Sequence, residues 1–79
     1  MRFYLGWTAC NDRNKIEEMM GEWFRTECDE IFNWVEESCA TRWTLEHEFV
    51  IDDAYTYFPD IFIVFRDLKD AMHYKLRWG

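Results

Sequence analysis

Ile61-Phe62-Ile63-Val64-Phe65 is apolar at every position. A strand with one face in water alternates apolar and polar residues, whereas an unbroken run of β-branched and aromatic residues suits a strand buried on both faces or placed centrally in its sheet. The run is therefore expected to be the middle strand, and the other elements are placed around it. Just before it, Asp52 to Asp60 holds two adjacent acids and the only proline, Pro59, a composition that predicts a turn. Further upstream, Arg42 to Ile51 alternates Trp43, Leu45, His47, Phe49 and Ile51 with Thr44, Glu46, Glu48 and Val50, the pattern of a strand covered on one face. Near the start, Arg2 to Thr8 alternates Phe3, Leu5 and Trp7 with Arg2, Tyr4 and Gly6, which predicts another strand whose Phe3, Leu5 and Trp7 share one apolar face. Downstream, Asp67 to Tyr74 suits a short helix capped by Asp67, with Leu68, Ala71 and Met72 turned inward. Lys75-Leu76-Arg77-Trp78-Gly79 would follow it, with room for a short last strand.

Between the first two strands, Ile16, Met19, Met20, Trp23, Phe24, Ile31 and Val35 recur at three- and four-residue spacing, which is the signature of an amphipathic helix. Glu17, Glu18, Glu22, Glu27, Asp29, Glu30, Glu36 and Glu37 fill its other face against one base, Arg25, so this stretch equals the whole formal charge of -7. Asn11-Asp12-Arg13-Asn14 supplies acceptors for the unpaired N–H groups of a first turn. One helix of about 27 residues would be roughly 40 Å long, against about 27 Å for an eight-residue strand. It must project beyond its sheet or bend. Bend sites are Gly21, which weakens a helix relative to alanine, and Thr26, which with Asp29 weakly resembles a capping box. A single helix with a kink is the expectation.

The order is thus strand, helix, strand, strand, helix. A right-handed crossover between the first two strands leaves a gap that the third fills antiparallel to both, giving spatial order 1-3-2 with helices on one face. The fold class is α+β, one domain over residues 1–79, a βαββα sandwich with a three-stranded antiparallel sheet and one long acidic helix. Such a split βαβ arrangement is related to a ferredoxin-like fold whose fourth strand is missing or shortened. Two consequences bear on function. The first strand has an open edge unless Lys75 to Gly79 covers it, and the uncovered sheet face shows Tyr4, Val50, Phe62 and Val64, so both invite association.

At 79 residues the chain is near the size at which one core yields only a few kcal/mol, and its five Trp, four Tyr and seven Phe offset that shortness. No run of about 18 apolar residues exists for a membrane span, and the first seven residues do not suit a signal peptide, so a cytoplasmic protein is expected. Cys10, Cys28 and Cys39 are odd in number and form no C-x-x-C pair. On one helix Cys28 and Cys39 would lie roughly 16 Å apart, against a limit of about 7 Å between Cα atoms for a disulfide, so free thiols are expected.

Chemistry-bearing residues are few. His47 sits among apolar residues on an inner strand face and suits a hydrogen-bonded structural histidine better than a base or ligand. His73 is expected to be exposed. The cysteines and histidines lack a zinc spacing, Asp52, Asp53 and Asp60 lack the alternation and glycine of a calcium loop, and Glu46 with Glu48 has no companion that suggests a pocket. No phosphate loop or nucleophile elbow is present. A protein that is not an enzyme and needs no metal or cofactor is the reading that follows. An aromatic sheet face also suits base stacking, but nine bases and a pI near 4.6 do not supply a positive footprint, so direct nucleic-acid binding is not expected. The acids can instead imitate a row of phosphates and occupy a basic groove on a nucleic-acid-handling protein.

The ending Phe65-Arg66-Asp67-Leu68-Lys69-Asp70-Ala71-Met72-His73-Tyr74-Lys75-Leu76-Arg77-Trp78-Gly79 resembles the tail of small accessory proteins encoded by tailed bacteriophages. Those often close with a Phe strand end, an Asp-Ala helix and a Lys-Leu-basic-Trp-Gly terminus. The likeness covers about fifteen of the 79 residues and transfers no catalytic residue. It implies a host-takeover or anti-defence protein, acting in the cytoplasm of an infected bacterium by blocking or redirecting host machinery.

The functional expectation is therefore an inhibitor that binds a host protein with a basic surface. Glu22, Glu27, Glu30 and Glu37 would steer it, and Trp23, Trp34, Tyr4 and Phe62 would anchor it where exposed. The alternatives are a homodimeric structural protein whose acids serve solubility, and a small ligand-binding domain around His47.

Overall fold

The computed structural model describes residues 1–51 and 57–78, with side chains described for all of these except Val50, Ile51 and Tyr57. Asp52 and Asp53 of the expected turn lie outside the described residues. The elements are β1 (Arg2–Trp7), a 3-10 turn (Arg13–Lys15), α1 (Ile16–Glu27), α2 (Asp29–Ser38), β2 (Trp43–Ile51), β3 (Tyr57–Phe65) and α3 (Leu68–Trp78). The sheet has the order β1-β3-β2, with β3 antiparallel to both neighbours. The chain is an α+β protein with the topology that its hydrophobic pattern requires.

β3 begins earlier than the turn composition suggests, at Tyr57, so that Pro59 and Asp60 belong to the strand. A proline in a middle strand removes a ladder donor. Here β1 ends at Trp7, opposite Asp60, and among the described ladder pairings Pro59 is matched with Phe49 of β2. Among the described ladders the strand pairs on both sides from Asp60 to Val64 and with β2 from Tyr57 to Pro59.

Ile61, Ile63 and Phe65 of β3 point into the core and are buried. They meet Phe24 of α1, Val35 and Cys39 at the end of α2, and Ala71 and Tyr74 of α3, with Phe3, Leu5, Trp43 and Leu45 packed at the margins. All the helices therefore cover one face of the sheet. Asp12 starts the first helical segment, its Oδ1 accepting from the Asn14 N–H at 3.0 Å. Glu17 and Glu18 begin α1, and Asp29 and Glu30 begin α2, where negative charge suits the positive end of each helix.

The long acidic element bends, but at neither expected site. Gly21 lies within α1, and the Thr26 hydroxyl donates back to the Glu22 carbonyl at 2.9 Å, so it caps nothing. The break is at Cys28, whose φ of -122° and ψ of 43° leave the helical region and divide the element into α1 and α2. Its N–H still donates to the Phe24 carbonyl (3.1 Å) and its carbonyl accepts from Phe32 (2.8 Å), so the bend strands no polar backbone group there. Bending lets Ile16, Met20 and Phe24 on α1 and Val35 on α2 all reach the core, which one straight rod overhanging the sheet would not allow.

α3 departs from expectation in length and rotation. It continues through Lys75 to Trp78, so those residues form no fourth strand, and among the described residues the outer side of β1 gains no strand in the sheet. Asp67 does cap it, accepting from the Lys69 N–H at 3.0 Å. Asp70, Ala71 and Tyr74 face inward, whereas Leu68 and Met72, expected inward, are 65% and 55% exposed. The rotation is set by Arg42, whose Nε donates to Asp70 Oδ2 at 2.8 Å and whose Nη2 donates to the Ser38 carbonyl at 3.0 Å. That pair satisfies a buried carboxylate and ties α2, β2 and α3 together. It also holds the Asp70 carboxyl below the usual carboxylate range, the hydrogen bond from Arg42 outweighing burial.

Candidate functional site: the open face of the sheet

The face away from the helices is built row by row from the strand register. Arg2 pairs with Val64 and Val64 with Thr44; Tyr4 with Phe62 and Phe62 with Glu46; Trp7 with Asp60 and Asp60 with Glu48. Strict alternation would have put Trp7 in the core beside Phe3 and Leu5. A bulge between Tyr4 and Gly6 shifts the register by one residue and turns Trp7 outward, where it is 60% exposed. Gly6 permits this with a φ of 151°, and a Cβ there would lie 3.2 Å from Cη2 and Cζ2 of Trp23, whose ring occupies the space beneath.

The result is an aromatic band with an acidic border. Tyr4, 54% exposed, meets Phe62 edge-on at 5.6 Å between ring centroids, and Trp7 meets Phe58 edge-on at 5.9 Å. Glu46 and Glu48 are exposed along β2, and Asp60 accepts from the Tyr4 hydroxyl at 3.3 Å. Arg2 lies over the Phe62 ring, 4.1 Å from its centroid, and reaches Glu48 at 2.6 Å and Glu46 at 3.8 Å. This internal contact already displays what the face can do: it holds a guanidinium between an aromatic ring and carboxylates.

Of the residues singled out from sequence, Tyr4 and Phe62 lie on this face, while Glu22, Glu27, Glu30 and Glu37 are exposed on the helical side and are divided between α1 and α2 by the bend. Trp23 and Trp34 are half-buried at the core margin; Trp34 packs on Trp78 with centroids 5.1 Å apart. They are structural contacts of the helix layer and leave Tyr4 and Trp7 as the exposed large aromatics of the sheet among the described residues. Trp7, Arg2, Phe58 and Asp60 are the site residues that sequence reasoning missed. A glycine inside an alternating strand was the available signal for the bulge.

His47 is half-buried on the inner side of β2, edge-on to Phe49 at 5.0 Å, beside a shallow cavity of about 600 Å³ bordered by Asn11, Arg13 and Asn14. Asp12 borders the same cavity, its Oδ1 engaged by the Asn14 N–H. His73 is exposed on α3. Cys10, Cys28 and Cys39 are free thiols, and burial pushes the Cys28 and Cys39 thiols up, with Glu27 beside the first and Asp70 beside the second acting in the same sense. Among the described residues no group of three or more His, Cys, Asp and Glu could hold a metal ion, and no helix is long and apolar enough to cross a membrane. No family model, curated protein or solved structure matches the chain.

Proposed function

We propose that this chain is a non-enzymatic protein-binding protein whose open sheet face docks a partner with a basic surface. The observation that carries the reading is the exposure of Tyr4 and Trp7 beside Glu46, Glu48 and Asp60 on a sheet face that, among the described residues, no helix covers. Large, stiff aromatics supply apolar area at small entropic cost and dominate binding energy where they are desolvated. Lys or Arg side chains of a partner would stack on the rings and pair with the border acids, as Arg2 does within the chain. The charge of -7 disfavours nucleic acid as the ligand, and Glu22, Glu27, Glu30 and Glu37 on the helical side speed encounter with a positive partner. Together with the phage-like ending, this supports an inhibitor of a host nucleic-acid-handling or defence protein.

The test is capture from bacterial lysate, followed by binding kinetics on the recovered partner. A basic protein bound by the native chain should be lost with Tyr4→Ser/Trp7→Ser. Glu27→Lys/Glu30→Lys/Glu37→Lys should slow association and weaken its salt dependence. Equal capture by the Tyr4/Trp7 variant would exclude the sheet face as the docking surface.

A further inference from the structure

α3 carries a second uncovered apolar band. Leu68, Met72 and Leu76, at four-residue spacing, are 65%, 55% and 85% exposed, while Ala71 and Tyr74 on the other side of the helix are buried. Four-residue spacing places the three in one stripe along the outward side of the helix. Lys69, His73 and Arg77 follow the same spacing one residue on and flank the stripe, and Lys75 falls near its other margin. All four are exposed. In a chain with a net charge of -7, Lys69, Lys75 and Arg77 give this face a positive border.

We infer that the chain associates head to tail with a second copy of itself, α3 of one copy lying across the open sheet face of the next. The inference rests on the reading of that sheet face as a docking surface and names an occupant for it. Three observations fit the two surfaces together. Their lengths match: Leu68 to Leu76 spans about 12 Å of helix and Phe58 to Phe62 about 13 Å of strand. Their charges are opposite: bases flank the helix stripe, while Glu46, Glu48 and Asp60 lie beside the aromatic band of Tyr4, Trp7, Phe58 and Phe62. Their positions exclude closure within one copy, because α3 packs on the covered side of the sheet and its stripe faces away from it.

The same charges select against the symmetric alternatives. Two sheet faces brought together would oppose Glu46, Glu48 and Asp60 to their own copies, with Arg2 already engaged on each. Two α3 stripes would oppose Lys69, Lys75 and Arg77 likewise. Each surface rejects its own kind and accepts the other. A contact between unlike surfaces does not close as a two-fold dimer, so assembly continues past two copies into a ring or an open row. Covering an apolar sheet face with a helix also adds burial to a domain of a size at which one core is marginal.

The experiment is sedimentation velocity over a wide concentration range at low and high salt, on three proteins. The native chain should pass beyond dimer as concentration rises and revert to monomer at high salt. Met72→Glu/Leu76→Glu spoils the helix surface alone, and Tyr4→Ser/Trp7→Ser spoils the sheet surface alone; each should be a folded monomer by circular dichroism. An equimolar mixture of the two retains one good surface on each partner and should stop at a heterodimer. Glu46→Lys/Glu48→Lys replaces the second variant if it fails to fold. A monomeric native chain, self-association of either variant alone, or a mixture that stays monomeric would each overturn the inference. The Met72→Glu/Leu76→Glu protein keeps its sheet face, so its capture of a basic foreign partner would uphold the docking reading even where self-association fails.

Discussion

Replacing Gly6 by alanine tests the origin of the site, because that residue directs Trp7 out of the core. Two terms oppose the substitution. The backbone φ of 151° is open to glycine and strained for an L-residue, a term of roughly 1–3 kcal/mol. The new Cβ would also lie 3.2 Å from two carbons of the Trp23 ring, inside ordinary carbon–carbon contact of about 3.5–4 Å. Trp23 is held between the sheet and the core margin, so relief requires moving a large ring, at a further cost of about 1 kcal/mol or more. The expected loss is on the order of 2–4 kcal/mol, a large share of the roughly 4–12 kcal/mol available to a domain of this length. At about 1 kcal/mol/M for urea, the unfolding midpoint should fall by roughly 2 M or more. The alternative relief is to remove the bulge, which restores alternation and swings Trp7 inward; acrylamide quenching of the native chain and of its Trp7→Phe variant detects that by the loss of an accessible indole. A Gly6→Ala protein with an unchanged urea midpoint and an unchanged accessible Trp7 would refute the account of both the bulge and the site.

Two further substitutions probe the packing that surrounds the core. Asp70 is held deprotonated by Arg42, with its folded pKa below the value in the unfolded chain, so the pair contributes stability above the ordinary carboxylate pKa and loses it as pH falls through the lower, folded value. Asp70→Asn should therefore lie below the native chain in urea midpoint by a constant margin near neutrality, and the margin should close below about pH 4; a margin that persists unchanged into acid would assign the loss to packing instead. Ala40 follows α2 with a φ of 50°, in the left-handed region that glycine occupies without strain. Ala40→Gly should raise stability by about 0.5–1 kcal/mol despite the added freedom of the unfolded chain, and an equal or lower midpoint would contradict that cap assignment.

Sequence alone determined the elements whose cause is local. The apolar run Ile61–Phe65 identified the middle strand, the alternation from Trp43 to Ile51 its neighbour, and the cluster Asn11-Asp12-Arg13-Asn14 and Asp67 the helix starts, because hydrophobic period and caps act within a few residues. Topology followed from these, since a crossover between parallel strands leaves one slot for the third.

What tertiary structure decided was phase and termination. The bend at Cys28 answers to the extent of a sheet that the helix pattern does not encode. Lys75 to Trp78 stay helical where Trp78 can pack edge-on against Trp34, 44 residues earlier in the chain, and against Tyr74. α3 turns Asp70 inward and Leu68 outward because Arg42, far away in sequence, supplies the buried carboxylate with its partner. Trp7 faces outward because a bulge at Gly6 fits the ring of Trp23 from another element. Local periodicity states how often an apolar residue returns to a face; which face is buried is settled by the residues packed against it, and those come from elsewhere in the chain.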